Sequence, residues 1–360
     1  MGINGLNKFL RDKYSGTYEI VDIQEYSYKK VAIDISLYLY KFKIVAGEYR
    51  WITAFINMIA FLRKNNIHCL FVYDNGCVDE KLQEQANRRK AKENTNEKIF
   101  KIKLDVEEFE RNGIISEELK QFCKKNQLYK PVSLLNNTKQ IICINRINDK
   151  LQKMQKYDVK ITERDIKLTK ELFDCLDVPY INAILEAETT CVDLYKRGLV
   201  DAVMTEDSDV LAYGGVILSK MDVELCKFTK IDCDKILEET ELTYDEFLDF
   251  CIMCGTDYNS NIPKVGPVSA FKLIKEHKTI ESIEENTKYD TEVLNYKRTR
   301  EIFKNYEEKD VNEIPFCGFP DFEKLRDLLI KNNIDYNIYS LRSKFSAELL
   351  FVHDDHEDDD

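Results

Sequence analysis

Apolar runs that end in an acid constrain this chain more than any other feature. Lys30-Val-Ala-Ile-Asp34 is one such run, and Cys69-Leu-Phe-Val-Tyr-Asp74 is a second. A stretch with helical apolar spacing, Ile52 to Lys64, lies between them. Strand, helix and strand in that order make a βαβ unit, and hence a parallel sheet. A short helix, Leu6 to Arg11, precedes it. The pattern resumes after a long interruption. Val178 to Ile181 reads as a strand, Glu186 to Arg197 as a helix closed by Gly198, and Val200 to Thr205 as a buried strand followed by Glu206-Asp-Ser-Asp209. Val216 to Leu218 and Leu225 to Phe228 read as further strands, and the chain reads as helical from Thr243 onward.

The interruption, Asp79 to about Lys170, is polar, lysine-rich and helical in period, with one break at Lys130-Pro131. We divide the chain accordingly. Residues 1–78 and 171–242 form one α/β core, and 79–170 form a basic helical insertion. Residues 243–305 carry a turn described below, 306–352 are a C-terminal helical segment, and 353–360 are an acidic tail expected to be disordered.

Charge at first argues against a nucleic-acid partner, because the net charge is −12. The charge is uneven, however. Lys120 to Lys170 hold 13 Lys and Arg against 4 Asp and Glu, so +9, while the tail alone carries six acids. A basic insert can hold a polyanion on an acidic protein. The eleven cysteines are scattered, and the one C-x-x-C, Cys251 to Cys254, has no second ligand pair, so core thiols are expected rather than zinc. Four dispersed histidines leave Ser-His-Asp catalysis without support. No apolar run reaches the roughly 18 residues of a membrane span. The N-terminus lacks a signal-peptide layout, so an intracellular, soluble protein is expected.

The acids are therefore the chemistry. Asp34, Asp74 and the pair Asp207 and Asp209 sit at or just past the C-terminal ends of apolar strands. In an open parallel sheet those ends share the ligand-binding edge. Glu186 and Glu188 begin the helix before the third of these strands, and Asp257 follows an apolar helix. One acid after a strand only caps a loop. Seven that converge would repel, and each would protonate or demand a cation. Oxygen ligands without His or Cys select Mg²⁺ or Mn²⁺, and two such ions suit phosphodiester hydrolysis. Lys81 and Arg88, seven apart in a predicted helix, share one face that leans over this edge. Asn261 to Ala270 contains Gly266, which suits a tight turn, and Pro267, which suits the first position of a new helix. Backbone groups there can hold a phosphate.

With these residues in hand, the chain resembles the flap endonuclease family of structure-specific 5′ nucleases, the XPG-type group. Met1 to Leu6, Val31 to Asp34, Phe71 to Asp74, Glu186 to Glu188, Thr205 to Asp209 and Gly255 to Tyr258 carry the likeness, and Asn261 to Ala270 resembles the family's helix–two-turn–helix. The resemblance implies a PIN-like 5′ nuclease core, a central, mainly parallel sheet flanked by helices, with the insertion as a helical arch or gateway. It implies two Mg²⁺ ions, replaceable by Mn²⁺, on Asp34, Asp74, Glu186, Glu188, Asp207, Asp209 and Asp257. Lys81 and Arg88 fall on the family's basic gateway residues. Tyr40 would stack on a base, Gly2 would lie close to the substrate, and Gly266 with Lys264 would face the duplex backbone, in the family with help from K⁺.

The implied partner is DNA with a 5′ flap or branch, cut by a monomer; 5′ exonuclease action and Holliday-junction resolution use the same residues. The family places the enzyme in the nucleus, or the host nucleus for a large-DNA-virus member, with the cytoplasm as alternative. Two departures stand out. Lys264 occupies the place of the first glycine of the family's Gly-x-Gly-Pro turn, which puts the K⁺ site in doubt. The 111 residues between Asp74 and Glu186 exceed what cellular flap endonucleases lead us to expect. No sliding-clamp motif is found. Two rival readings remain. Asp207-Ser-Asp209 has the Asp-x-Asp spacing of haloacid-dehalogenase-type phosphatases, but that leaves Glu186, Glu188 and the Gly266 turn unused. A non-catalytic DNA-junction binder would be expected to lack part of the acid set.

Overall fold

A computed structural model describes residues 2–47, 50–134, 137–156 and 158–352. The acidic tail therefore lies outside the described residues. The chain begins with α1 (Leu6–Lys13) and β1 (Tyr18–Asp22). Next, β2 (Lys30–Asp34) runs directly into α2 (Ile35–Ala46), because Asp34 caps that helix. The first half closes with α3 (Trp51–Lys64) and β3 (His68–Tyr73).

The insertion starts with one long helix, α4 (Asp79–Asn112), followed by α5 (Glu117–Lys125). Beyond that point the mainly helical expectation gives way to two strands. The break at Lys130-Pro131 belongs to an antiparallel hairpin, β4 (Tyr129–Leu134) paired with β5 (Asn137–Ile142). Val132, Thr138, Ile141 and Ile142 favour a strand, and Pro131, which cannot donate to a ladder, is tolerated in a two-stranded ribbon where each strand is an edge. Then α6 (Ile144–Lys156) and α7 (Glu163–Leu176) lead back to the core.

In the second half, β6 (Tyr180–Asn182), α8 (Ala187–Lys196), β7 (Ala202–Met204), the single turn α9 (Asp209–Ala212), β8 (Val216–Asp222) and β9 (Lys227–Asp232) complete the sheet. The remainder is helical, as expected: α10 (Cys233–Thr240), α11 (Tyr244–Cys254), α12 (Pro267–His277), α13 (Ile280–Asn286), α14 (Tyr296–Lys304), α15 (Phe322–Lys331) and α16 (Ile338–Val352). Cys251 and Cys254 are buried thiols of α11, and all eleven cysteines are free.

The sheet order is β1-β9-β8-β7-β2-β3-β6, with only β9 running against its neighbours. The five strands β8, β7, β2, β3 and β6 are parallel. The mainly parallel α/β core is thus present. The chain winds outward from β2 in one direction through β3 and β6, then returns to β7 on its other side. That reversal makes a crevice at the C-terminal ends of β2 and its neighbours.

Strand alternation divides the apolar residues into two cores. Ala32, Leu70, Val72 and Val203 pack with α1, α8 and α11 on one face. Val31, Ile33, Phe71, Tyr73 and Met204 pack with α3, α7 and α15 on the other. The insertion has its own small core, where Ile99, Ile102 and Val106 of α4 meet Leu119 and Phe122 of α5 and Ile147 and Leu151 of α6.

Phe173 of α7 locks the second core. Its ring stacks on Phe71 with centroids 4.1 Å apart and meets the edge of Phe55 at 6.0 Å. Because α7 carries the chain back from the insertion, Phe173→Ala is expected to destabilise the core by about 3–5 kcal/mol. Urea unfolding measures this, and a loss below about 1 kcal/mol would show that α7 does not hold the sheet.

Candidate metal centre

Each acid of the expected set reaches the crevice for a local reason. Asp34 ends β2 and accepts the backbone N–H of Ser36 at 2.9 Å as the cap of α2. The Ser36 hydroxyl then donates to Asp74, which follows β3, so one serine ties the two strand ends together. Asp74 also accepts the N–H of Ala187 at 2.8 Å, the first residue of α8, where the helix end favours an anion. Glu186 stands at the N-terminal boundary of α8, and Glu188 lies in its first turn. Asp207 accepts the N–H of Asp209 at 3.0 Å, which folds the segment after β7 back on itself. Asp257 sits in the loop after α11. Asp34, Glu186, Glu188, Asp207, Asp209 and Asp257 are all buried.

Oxygens of Glu188, Asp207 and Asp209 come within 4.8 Å of one another. Asp209 is 0% exposed, and neither of its oxygens has a hydrogen-bond partner among the described residues. A buried carboxylate with no donor is costly unless it meets a cation. The donor set, all oxygen with no sulfur or nitrogen, fits a hard divalent ion. Protonation records the same crowding. Burial, followed by repulsion from Asp74, Glu188 and Asp207, raises Asp34 well above the usual carboxylate range. Burial and then Asp207 raise Asp209 in the same way. Burial and then Glu188 push Asp207 up to about 6. Glu186 is pushed up to about 7 by burial and Glu188, even though Lys81 and Tyr258 oppose the rise.

The two predicted basic residues enter this cluster from α4. Lys81, itself buried, ion-pairs with Glu186, with Glu188 at 3.0 Å and with Asp257 at 3.5 Å. Burial alone would lower its pKa; Glu188 and Glu186 outweigh that and raise it. Two turns on, Arg88 reaches the same Asp257 and pairs with Glu84 at 2.9 Å. The shared partner fits the shared helix face expected of an i, i+7 pair.

The chain start lies against the same place. Gly2 has φ +82, and a Cβ there would fall 2.3 Å from Asp207 Oδ1. Ile3 donates its N–H to Ser208 at 2.9 Å, and Asn4 donates to the Gly255 carbonyl at 2.9 Å. The remaining expected residues sit apart from the acids. Tyr40 is 44% exposed on α2. Gly266 caps α12 ahead of Pro267, but at φ −99 it does not make the tight turn expected of it. The left-handed residue is Lys264, at φ +67. It is exposed and makes no ion pair among the described residues. Asn261 stabilises this bend, donating from its side chain to the Val265 carbonyl at 3.0 Å.

Three residues were missed by the sequence reading. Ser36 and Tyr258 could have been found as near neighbours of Asp34 and Asp257. Tyr213, whose hydroxyl lies 2.9 Å from that of Tyr258, carries no local signal.

Comparison with known proteins agrees with this geometry. Residues 1–95 match the XPG N-terminal domain, and residues 177–257 match the XPG I-region. The chain is 32% identical to a probable RAD2-like endonuclease of Invertebrate iridescent virus 6, over 96% of this chain and 92% of that protein. It is 31% identical to flap endonuclease 1-A of Sorghum bicolor, over 92% of this chain and 83% of that protein. In fold it resembles the catalytic core of Rad2 in complex with DNA substrate, with a TM-score of 0.65, 19% identity, and coverage of 96% and 99% of the two chains. Flap endonuclease-1 from Methanococcus jannaschii is similar at a TM-score of 0.58, with 20% identity and coverage of 91% and 94%.

The raised carboxylates have a sign that can be tested. A carboxyl whose pKa is raised on folding favours the folded state at low pH. That advantage disappears as pH rises; for Glu186 the window runs from 4.5 to about 7. Without divalent metal, Asp209→Asn should therefore raise the melting temperature at pH 8, equivalent to roughly 1–3 kcal/mol. It should do little at pH 5, and it should abolish most of the stabilisation expected when a divalent ion such as Mg²⁺ is added to the wild type. Calorimetry with EDTA and with Mg²⁺ reads both effects. A destabilised variant at pH 8 in EDTA would contradict the charge argument.

Proposed function

The chain belongs to the XPG family of RAD2-like and flap endonucleases, and from that membership we propose that it is a structure-specific DNA nuclease, hydrolysing phosphodiester bonds at 5′ flaps or branched junctions with divalent metal. The observation that carries the reading is Asp209, fully buried with both oxygens unpartnered among the described residues, amid converging acids. Such a site is relieved either by protonation or by cations, and its all-oxygen donor set fits hard divalent cations. Asp34, Asp74, Glu186, Glu188, Asp207, Asp209 and Asp257 would hold two Mg²⁺ ions, with Mn²⁺ as substitute. Bound ions would supply Lewis acidity for activating water and for stabilising the leaving 3′ oxygen.

The chain's own residues do the rest. Lys81 and Arg88 share the acid Asp257; with the acids neutralised by cations, both are free to bind and orient the scissile phosphate and offset its developing charge. Gly2 keeps the chain start thin beside Asp207, so a phosphate can approach where a side chain would intrude. Tyr40, exposed on α2, offers a ring on which a base beside the cut can stack. Gly266 and the start of α12 present backbone N–H groups to the duplex backbone. Lys264, exposed beside them, contacts a phosphate directly where relatives would use K⁺. The basic insertion tracks substrate backbone. Since one chain supplies every residue of the site, a monomer suffices, and a nuclear setting rests on family likeness alone.

Cleavage of a 5′-labelled double-flap DNA with Mg²⁺, beside EDTA and Asp207→Asn controls, tests the reading. One product released at the flap base and lost in both controls is expected. Binding without cleavage would overturn it in favour of a junction binder, and a ladder of mononucleotides would make it an exonuclease. In the same assay Lys81→Ala should lower turnover by about 10²–10³-fold, the cost of losing one electrostatic donor. Wild-type turnover would remove Lys81 from the mechanism.

A further inference from the structure

Behind the acids lies a pair of buried tyrosines that the proposed chemistry leaves unused. Tyr258 OH donates to Glu186 Oε2 at 2.7 Å. Its oxygen lies 2.9 Å from Tyr213 OH. Glu186 is an acceptor when ionised, so Tyr258 gives it its only proton, and Tyr213 must donate to Tyr258. The hydroxyls thus form one directed chain ending on a carboxylate. Both tyrosines are buried, Tyr213 at 1% exposure.

The covalent placement of the pair matters as much as the hydrogen bonds. Tyr258 is the residue after Asp257. Tyr213 lies one helical turn after Asp209 and closes α9, its N–H donating to the Asp209 carbonyl at 3.0 Å. The chain therefore joins three elements that deliver carboxylates: the start of α8 with Glu186, the turn of α9 with Asp209, and the loop after α11 with Asp257. That loop is itself cross-linked by hydrogen bonds. Tyr258 donates its N–H to the Thr256 hydroxyl at 3.1 Å, and Thr256 bonds Asn259 at 2.7 Å. The Tyr258 ring also lies 5.8 Å below Lys81 Nζ.

We propose that Tyr258, backed by Tyr213, is a positioning pair that fixes Glu186 and sets the spacing of three carboxylate-bearing elements for divalent-metal binding. With Oε2 held by Tyr258, Glu186 can turn only Oε1 toward the cluster, where it now meets Lys81. Without that hydroxyl, Glu186 is free to rotate toward Lys81 with either oxygen, and the donor set loses its geometry. Outer-shell partners of this kind are worth roughly 10–100-fold in metal affinity. The proposal rests on the nuclease reading for the identity of the cation.

Phenylalanine removes each hydroxyl while keeping the ring that packs under Lys81. Mn²⁺ binding to the full chain, followed by calorimetric titration and by the enhancement of water proton relaxation, is compared for wild type, Tyr258→Phe, Tyr213→Phe and the double variant. Melting in EDTA checks that each remains folded. Tyr258→Phe is expected to weaken Mn²⁺ binding about 10–100-fold, and Tyr213→Phe less. Tyr213→Phe should add nothing once Tyr258 is Phe, because the chain is already cut. On flap DNA, the metal concentration at half-maximal rate should rise while the KM for DNA stays the same. Equal Mn²⁺ affinity in wild type and Tyr258→Phe, both folded, overturns the positioning role and leaves the nuclease reading intact. Additive losses overturn the chain between the two tyrosines. A wild type that binds no Mn²⁺ and cuts no DNA overturns both readings.

Discussion

Like-charge repulsion among carboxylates at one edge of the sheet is the constraint on which the rest of this structure depends. Six of the acids are buried, and burial does most to raise the pKa of those that shift. No fold gathers such a set for stability, since a well-packed apolar residue would serve better at each position. The arrangement is held instead by donors spent one at a time: the Ser36 N–H and hydroxyl, the Ala187 N–H, the Asp209 N–H and the Tyr258 hydroxyl. Each satisfies one oxygen and fixes one rotamer. Lys81 and Arg88 serve Glu188 and Asp257, so among the described residues Asp209 is the acid of this set left without a donor, and the network is built around a gap that a cation fits.

The second consequence concerns the insertion. Its first helix has two distinct ends. Lys81 and Arg88 lie in its first turns and pair with the acids, while Ile99, Ile102 and Val106, farther along, pack with α5 and α6. At 34 residues the helix is about 50 Å long. A further ion pair, Arg298 to Glu80 at 2.6 Å, fastens its start to α14. The end that takes part in the site is therefore tied to the core, and the rest is stabilised by its own apolar cluster. The distal part can vary in length without disturbing Lys81, so the 111 residues between Asp74 and Glu186 are compatible with a fixed site.

Much of this was legible in the sequence, for a physical reason. A strand buried in a parallel sheet is a run of apolar residues, and an acid at its end is conspicuous; Asp34, Asp74 and Asp207 were found in that way. Glu186 and Glu188 followed from a helix start. What escaped was structure made by contacts distant in sequence or by weak local pattern. The edge strand β1 has only Val21 buried, so its alternation carries almost no signal. The β4–β5 hairpin was hidden by lysines that suit a helical face equally well. The turn before α12 was assigned to Gly266, the residue with the least steric cost, yet the left-handed backbone falls on Lys264, held by Asn261 three residues earlier. Tyr213 and Tyr258 are 45 residues apart, and no periodicity joins them.

The position of the chain start shows why the acids and the start of α12 must be considered together. Gly2 lies against Asp207, and Gly5, at φ +72, lies so near Pro267 that a Cβ would come within 2.9 Å of its ring. Between them, Asn4 bonds the Gly255 carbonyl beside Asp257. A segment of four residues thus touches the turn after β7, the loop after α11 and the first residue of α12. Side chains at either glycine would push these apart, and both backbones sit where L-residues are strained. The short N-terminal segment acts as a spacer between the carboxylate cluster and the helix start proposed to hold duplex backbone. The distance between cutting site and duplex contact is then set by packed backbone rather than by flexible side chains. A nuclease that measures position from a junction needs a fixed ruler of this kind, because an error of one nucleotide is only a few ångströms.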